Sequence, residues 1–154
     1  MIDGEERFLV IETAPNELMP HSVYTFLQMV EAHTWDDTVL LGIDHVILAT
    51  LEDTENNLKI SDSTRTLSFP EYSKDYPHVE NTVGFVGRPG GPRFYINSYD
   101  NRQDHGPGGQ KRYALVEEAD PCFGIVIHGL DLLPRLKEHN GSIIKGMVIL
   151  EKKK

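Results

Sequence analysis

Basic residues and cysteine are scarce in this sequence, and both shortages exclude kinds of function. The 154 residues include one cysteine, Cys122, so the chain forms no internal disulfide and offers no zinc site built from cysteines. Fifteen lysines and arginines stand against 24 aspartates and glutamates, which gives a formal net charge of −9. Since nucleic acids and anionic membranes attract basic proteins, we expect neither of them as a partner.

Long apolar runs are missing as well. No segment approaches the roughly 18 apolar residues of a membrane-spanning helix, and no signal-peptide pattern follows Met1. With 39% apolar and 25% charged residues, the composition is that of an ordinary globular protein. We therefore expect a single domain over residues 1–154, monomeric and cytoplasmic by default, although the chain can equally be a domain cut from a longer protein.

The segment from Gly84 to Gln110 carries the densest local signals. A glycine- and proline-rich stretch, GRPGGP, precedes the short apolar run Phe94-Tyr95-Ile96, and HGPGGQ follows a polar segment. Glycine permits positive φ and proline fixes φ, so each cluster predicts a built loop. A strand held between two such loops is typical of the wall of a binding site.

Short strands dominate the rest of the chain. The predicted strands cover Arg7–Thr13, Thr38–Leu41, Val46–Ala49, Thr82–Val86, Phe94–Ser98, Cys122–Ile127 and Ser142–Glu151. Two helices are predicted, one that begins at Pro20 with an apolar stripe and one that begins at Asp131. Seven or eight short strands with two helices favour a mainly β fold, a closed antiparallel barrel capped by the helices.

The order of these elements resembles the cyclophilin family of peptidyl-prolyl cis–trans isomerases. The run Phe94-Tyr95-Ile96 after a glycine-rich loop resembles the Phe-Phe-Ile strand of that family. Phe123-Gly124 with Val126 and Gly129 resembles its FGKVxxG strand and turn. The blocks GRPGGPRFYIN, DN, HGPGGQ and ADPCFG resemble a divergent cyclophilin-like group. The resemblance implies a closed eight-stranded antiparallel barrel with a helix at each end, and prolyl isomerisation as the activity.

The catalytic arginine that the resemblance implies is missing from its place. Isomerisation twists an amide against a barrier of about 20 kcal/mol, and in the family an arginine donates to the amide nitrogen. Simple alignment puts Gly42 at the arginine position, and no arginine or lysine occurs from Val39 to Leu58. Because the loss of a positioned donor typically costs a factor of about 10²–10³ in rate, we expect isomerase activity to be weak or absent.

Arg93 is the tentative catalytic residue of this chain. It stands where the family has a glutamine before Phe-Phe-Ile. One hypothesis is that its side chain crosses the wall and replaces the missing donor. The alternative is a surface arginine paired with Asp100, Asp104 or Glu117, and we favour this alternative.

The resemblance also implies a set of peptide-binding residues. The candidates are Tyr95, Phe94, Ile47, Leu48, Val86, Leu115 and Asp120. Tyr95 stands where the family has an aromatic pocket floor, and an ordinary core position is equally consistent with it. Ile47 and Leu48 fall near a Phe-Met pair of the family, although core packing is the favoured interpretation. Leu115 and Asp120 fall near the tryptophan and histidine of the family's pocket rim.

Other chemistry has weaker support. His45, His78 and His105 converge only if the fold brings them together, and no HxH or HExxH spacing is present, so we expect solvated histidines, no metal and no cofactor. The HGPGGQ segment is consistent with an anion-binding nest of backbone N–H groups, but a tight structural turn is favoured. Cys122 lies in an apolar run, which predicts buried packing rather than a nucleophile.

Three functions therefore stay open. The favoured one is a cyclophilin-like domain that binds extended segments of another protein, proline-containing ones among them, with isomerase activity weak or absent. The alternative is an active prolyl isomerase with a rearranged site that uses Arg93. A third is an unrelated enzyme or small-molecule binder on the same fold, for which no motif is present, and a fold alone does not decide among them.

Overall fold

The computed structural model describes residues 4–110 and 118–151. In these residues seven β-strands form one sheet in the order β1-β6-β4-β5-β3-β2-β7, and every neighbouring pair is antiparallel. The strands are β1 (Val10–Thr13), β2 (Thr38–Ile43), β3 (Val46–Ala49), β4 (Thr82–Phe85), β5 (Phe94–Asn97), β6 (Cys122–His128) and β7 (Ser142–Ile144). The mainly β, antiparallel character of the prediction is thus confirmed.

Both predicted helices are present. Helix α1 spans Pro20–Glu31, and α3 spans Leu133–Glu138 after a 3₁₀ turn at Leu130–Leu132. A further short helix, α2 at Arg102–His105, was not predicted and lies in the middle of the glycine-rich segment. None of the helices in the described residues is long and apolar enough to cross a membrane.

An aromatic cluster fills the inner face of the curled sheet. Phe26 of α1 lies with its ring centroid 4.7 Å from Phe123, 5.3 Å from Trp35 and 5.6 Å from Phe94. Leu133 and Leu136 of α3 are buried in the same core. The sheet therefore curls around one apolar interior that both helices contact.

Glu71 fixes the start of α1. Its carboxylate accepts hydrogen bonds from the backbone N–H of His21 at 3.0 Å and of Ser22 at 2.7 Å. Helices begin with backbone N–H groups that lack partners within the helix, and a carboxylate at this end also interacts favourably with the helix dipole. The loop that precedes β4 is thereby attached to α1.

The prediction of a closed eight-stranded barrel is wrong, because the sheet is a seven-stranded half-barrel. Strands β1 and β7 are its two edges and do not pair with each other. The last strand ends at Ile144 rather than at Glu151, and a glycine, Gly146, interrupts the run where pairing stops. Beyond it, Val148 and Leu150 are 81% and 74% exposed. Because the side chains of Val148 and Leu150 have no surface to pack against, these residues do not extend the sheet.

The gap between the two edges opens into a cavity of about 280 Å³. Leu9 and Ile11 line it from the β1 side, and Ile143 and Ile144 line it from the β7 side. The interior of the half-barrel is therefore reachable from the edge at which the predicted barrel would close.

Candidate functional site

The candidate site lies on the outer face of the sheet. One row of paired residues runs there across five neighbouring strands, β2, β3, β5, β4 and β6. The residues of this row, in the same order, are Leu41, Leu48, Tyr95, Gly84 and Cys122. Successive strand residues point to opposite faces, so Tyr95 points outward while its neighbour Phe94 points into the core. A Cβ atom at Gly84 would lie 2.9 Å from the Tyr95 hydroxyl, so only glycine leaves room for Tyr95 here.

Tyr95 is covered rather than open. The imidazole of His105, at the end of α2, stacks on the phenol ring with 4.5 Å between ring centroids and 28° between ring planes. His78 lies on another side of Tyr95, with its ring centroid 6.1 Å away. As a result, Tyr95 is only 1% exposed.

Asp120 is the centre of the polar network around Tyr95. One carboxylate oxygen, Oδ2, accepts a hydrogen bond from His105 Nδ1 at 2.7 Å and from the Tyr95 hydroxyl at 3.3 Å. The other, Oδ1, accepts from Arg88 Nε at 2.8 Å. The Arg88 guanidinium and the hydrogen bonds from His105 and Tyr95 thus compensate the burial of this carboxylate, which would otherwise be strongly unfavourable.

The Arg88 side chain is fully buried, and all three guanidinium nitrogens donate hydrogen bonds. Besides Asp120, it donates to backbone carbonyls at 2.8–3.3 Å, those of Asp104, His105, Gly106, Gly109 and Glu118. Its side chain has 0% exposure. The HGPGGQ segment therefore wraps its carbonyl oxygens around a cation of the same chain, which is the opposite polarity from an anion-binding nest.

A chain of hydrogen bonds connects Asp120 to the surface. His105 Nε2 lies 2.9 Å from Nε2 of His45, in the β2–β3 hairpin. Because a carboxylate only accepts, the proton of neutral His105 is on Nδ1, and the Nε2–H of His45 then donates to His105. His45 is partly exposed, and its Nδ1 faces the Asp44 carboxylate at 3.3 Å.

His78 and two asparagines complete the network. His78 Nε2 donates to the Asp120 carbonyl at 2.8 Å, and burial lowers the pKa of this histidine to about 4. Burial, and then the nearby Asp120 carboxylate, raise the pKa of Tyr95 well above its usual value. Asn101 donates to the Asn97 side chain at 2.7 Å, which attaches the start of α2 to β5.

The three histidines singled out in the sequence do converge. The His105 ring centroid lies 5.0 Å from that of His45 and 5.6 Å from that of His78. Their nitrogens bind a carboxylate, a carbonyl and one another rather than converge on a shared point, and among the described residues no group of three or more His, Cys, Asp or Glu side chains is arranged to hold a metal ion. The expectation that these histidines are solvated was wrong for His78 and His105.

Arg93 lies at the surface. Its side chain is exposed and has no hydrogen bond or ion pair to any of the described residues. Of the partners considered for it, Asp100 instead pairs with Arg102, whose Nε donates at 2.9 Å, and Glu117 lies outside the described residues. No guanidinium lies over the Tyr95 ring in residues 4–110 and 118–151, since Arg88 is directed to Asp120 and the loop carbonyls.

The remaining candidates separate into inner and outer positions. Phe94 and Ile47 belong to the core, whereas Leu48 and Val86 are half-buried on the outer face. Leu115 lies outside the described residues. Asp120 is buried in the network rather than placed on a rim.

Gly42, the position aligned with the family's arginine, points toward α3. A Cβ atom there would lie 1.8 Å from the carbonyl oxygen of Lys137, so no larger residue fits. On this strand the residue in line with Tyr95 is Leu41. Neither Gly42 nor Leu41 supplies a hydrogen-bond donor from its side chain.

Sequence reasoning missed Arg88 and the role of Asp120. Arg88 is 32 residues from Asp120, and His45 is 60 residues from His105, so no local pattern links them. The one available signal was the setting of Arg88, the cation inside the glycine- and proline-rich block GRPGGP, where other backbone segments can approach closely.

Solved structures of known proteins share this fold. The chain is similar to a cyclophilin-type peptidyl-prolyl cis–trans isomerase of Cryptosporidium parvum crystallised in the presence of the dipeptide Ala-Pro, with TM-score 0.64, 16% identity, and coverage of 94% of this chain and 93% of that one. A second crystal structure of that isomerase gives TM-score 0.63 and 15% identity, covering 94% and 92%. No family model and no curated protein matches the sequence. At this low identity the likeness shows the fold alone: the chain has a divergent cyclophilin-like fold.

Proposed function

We propose that this protein is a cyclophilin-like binding domain for extended peptide segments, proline-containing ones among them, in which prolyl isomerase activity is weak or absent. The observation that carries the proposal is the filled outer face at Tyr95. There the His105 ring lies against the phenol, and the buried Arg88 guanidinium donates to Asp120 and to backbone carbonyls.

Weak catalysis follows from the donor set. A twisting amide nitrogen requires a hydrogen-bond donor aimed at it in the transition state, and such a donor is worth a factor of about 10²–10³. Leu41 and Gly42 supply none, and the N–H groups of Arg88 already have partners. A peptide amide would have to displace these bonds before Arg88 is able to donate to it.

Binding is supported by the part of the outer face that stays accessible. Leu48 is half-buried beside Tyr95. On the neighbouring row the exposed Arg93 lies opposite the half-buried Val86, whose backbone N–H donates to the Arg93 carbonyl. Apolar patches with one cation suit an extended peptide whose carbonyl groups or acidic side chains meet the guanidinium. The fold relative that was crystallised with Ala-Pro is consistent with a peptide ligand.

Exchange NMR on an Ala-Pro peptide, with and without the protein, tests this function. We expect chemical-shift changes at the methyl groups of Leu48 and Val86, without faster cis–trans exchange of the peptide. The absence of any shift change at millimolar peptide would overturn peptide binding.

Arg93→Ala, with Arg7→Ala as the exposed matched control, tests the alternative. Arg7 pairs with Glu5 ahead of β1 and lies outside the covered face. If the wild-type protein accelerates exchange and only Arg93→Ala abolishes the acceleration, the chain is an active isomerase that uses Arg93. If both variants bind peptide as the wild type does and neither affects exchange, Arg93 has no role in the site.

A further inference from the structure

We propose that His105 is an internal plug, a side chain of the protein that occupies the ring-binding face of Tyr95 and excludes a ligand ring from it. The plug belongs to the covering loop, residues 101–110, which includes α2. This inference rests on the proposed function, because it concerns how the same outer face is regulated. Opening of the covering loop would admit a five-membered ring, such as that of a prolyl residue, to Tyr95.

The first argument is the fit of the ring. An imidazole lies nearly parallel to the Tyr95 phenol at 4.5 Å, which is the geometry of a stacked aromatic ligand. Imidazole and pyrrolidine are both five-membered rings of similar size. The space that His105 fills is therefore the size of a prolyl ring, with Tyr95 as its floor and the Asp120 carboxylate at its edge.

The second argument is how the covering loop is held. Within α2 only His105 is buried, and the three preceding residues are exposed. The loop is instead held by polar contacts, namely its carbonyl bonds to Arg88, the Asn101 side chain, and the His45–His105 hydrogen bond. Segments with few buried apolar contacts are the ones that open locally at the lowest free energy.

The third argument is the position of His45. Its side chain joins the covering loop to the β2–β3 hairpin through the bond between two Nε2 atoms, while its backbone carbonyl accepts a second bond from Asn101. Its imidazole is also the member of the chain that solvent reaches. We therefore assign His45 the role of a latch. Its removal should raise the open population of the loop without removing the plug ring itself.

The decisive experiment removes the plug. In His105→Gly, exogenous imidazole and an Ala-Pro peptide should both perturb the NMR signals of the Tyr95 ring and compete with each other. The apparent peptide affinity should rise by roughly tenfold or more over the wild type, because the competent state no longer has to be populated by opening. His33→Gly is the matched control, since His33 is an exposed histidine that already has φ 57°.

His45→Gln provides a test that does not depend on folding of the glycine variant. Amide hydrogen exchange at His105 and Asp120, whose N–H groups bind Asn101 and His105 carbonyls, should quicken in this variant and not in His33→Gln. Unchanged exchange in His45→Gln, or a folded His105→Gly that binds neither imidazole nor peptide at Tyr95, would overturn the plug. Wild-type binding at Leu48 and Val86 would then still support the proposed function. Binding at Tyr95 that is as tight in the wild type as in His105→Gly would refute the plug alone.

Discussion

The two faces of strand β5 are both buried, but different forces bury them. On the inner face Phe94 and Ile96 join an aromatic cluster, in which Phe94 lies 4.9 Å from Trp35 in an edge-to-face arrangement. On the outer face Tyr95 and Asn97 join a network of hydrogen bonds. All four side chains are 3% exposed or less, so burial alone does not distinguish the faces.

The difference between the two faces explains how this chain keeps a cyclophilin-like fold although the residues of its outer face differ from those that the family resemblance implies. Apolar contacts are non-directional, so the inner face tolerates divergent sequences as long as volume and pattern persist. A polar network is directional, and each buried member needs its partners. Here that network occupies the face on which the resemblance implies a peptide pocket, and fold likeness therefore does not carry over to the site.

The largest effect should come from removing Arg88. We expect Arg88→Met to lower the free energy of unfolding by about 3–5 kcal/mol, because it leaves the buried Asp120 carboxylate without its cation and several carbonyls without donors. Arg93→Met, an exposed position with the same chemical change, should stay within about 0.5 kcal/mol of the wild type. Urea unfolding followed by circular dichroism measures both. Equal decreases in the free energy of unfolding of the two variants would mean that the buried contacts of Arg88 stabilise the fold no more than an exposed arginine does.

The second effect concerns pH and His78. The unfolded pKa is 6.5 and the folded pKa is about 4, so the folded state resists protonation and the unfolded state does not. The contribution of His78 to stability is then complete above about pH 6.5 and is lost as the pH falls toward 4. The difference between these two pKa values corresponds to about 3 kcal/mol of stability.

His78→Gln isolates this contribution. Glutamine keeps an N–H donor for the Asp120 carbonyl but does not titrate, so the stability difference between variant and wild type should shift by about 3 kcal/mol in favour of the variant from pH 7 to pH 4. Urea unfolding at stepped pH gives the values, with His33→Gln as an exposed control. A pH-independent difference would refute burial as the cause of the low pKa.

The inner face was largely predictable from the sequence. The stripe from Val23 to Val30 predicted α1, and the apolar runs predicted each of the seven strands to within a few residues at most ends. These signals are local, because helix and strand periods are set by neighbouring residues. The end of the last strand was missed, since the segment from Ser142 to Glu151 is rich in apolar and β-branched residues throughout, whereas pairing stops at Ile144, just before Gly146.

The outer face was not predictable, for a physical reason. Its members come from separate parts of the chain, and each hydrogen bond depends on positions fixed by the whole fold. Asp120 was singled out as a rim residue, and His105 as a solvated loop histidine. Both are buried, because each provides what the other lacks, an acceptor for one and a donor for the other.

The smallest predicted effect on stability comes from removing one atom of the outer face, the hydroxyl oxygen of Tyr95. Tyr95→Phe keeps the ring that stacks on His105 and removes only the hydroxyl that donates to Asp120. We expect a loss of about 1 kcal/mol, because the bond is long at 3.3 Å and the carboxylate retains His105 and Arg88. Tyr24→Phe, on the exposed face of α1, removes the same atom where water replaces it and should be neutral. Thermal or urea unfolding of the pair measures the difference. If Tyr95→Phe is as neutral as Tyr24→Phe, then ring stacking on His105, rather than the hydrogen bond to Asp120, holds Tyr95 on the outer face. Aromatic contacts would then stabilise both faces of β5.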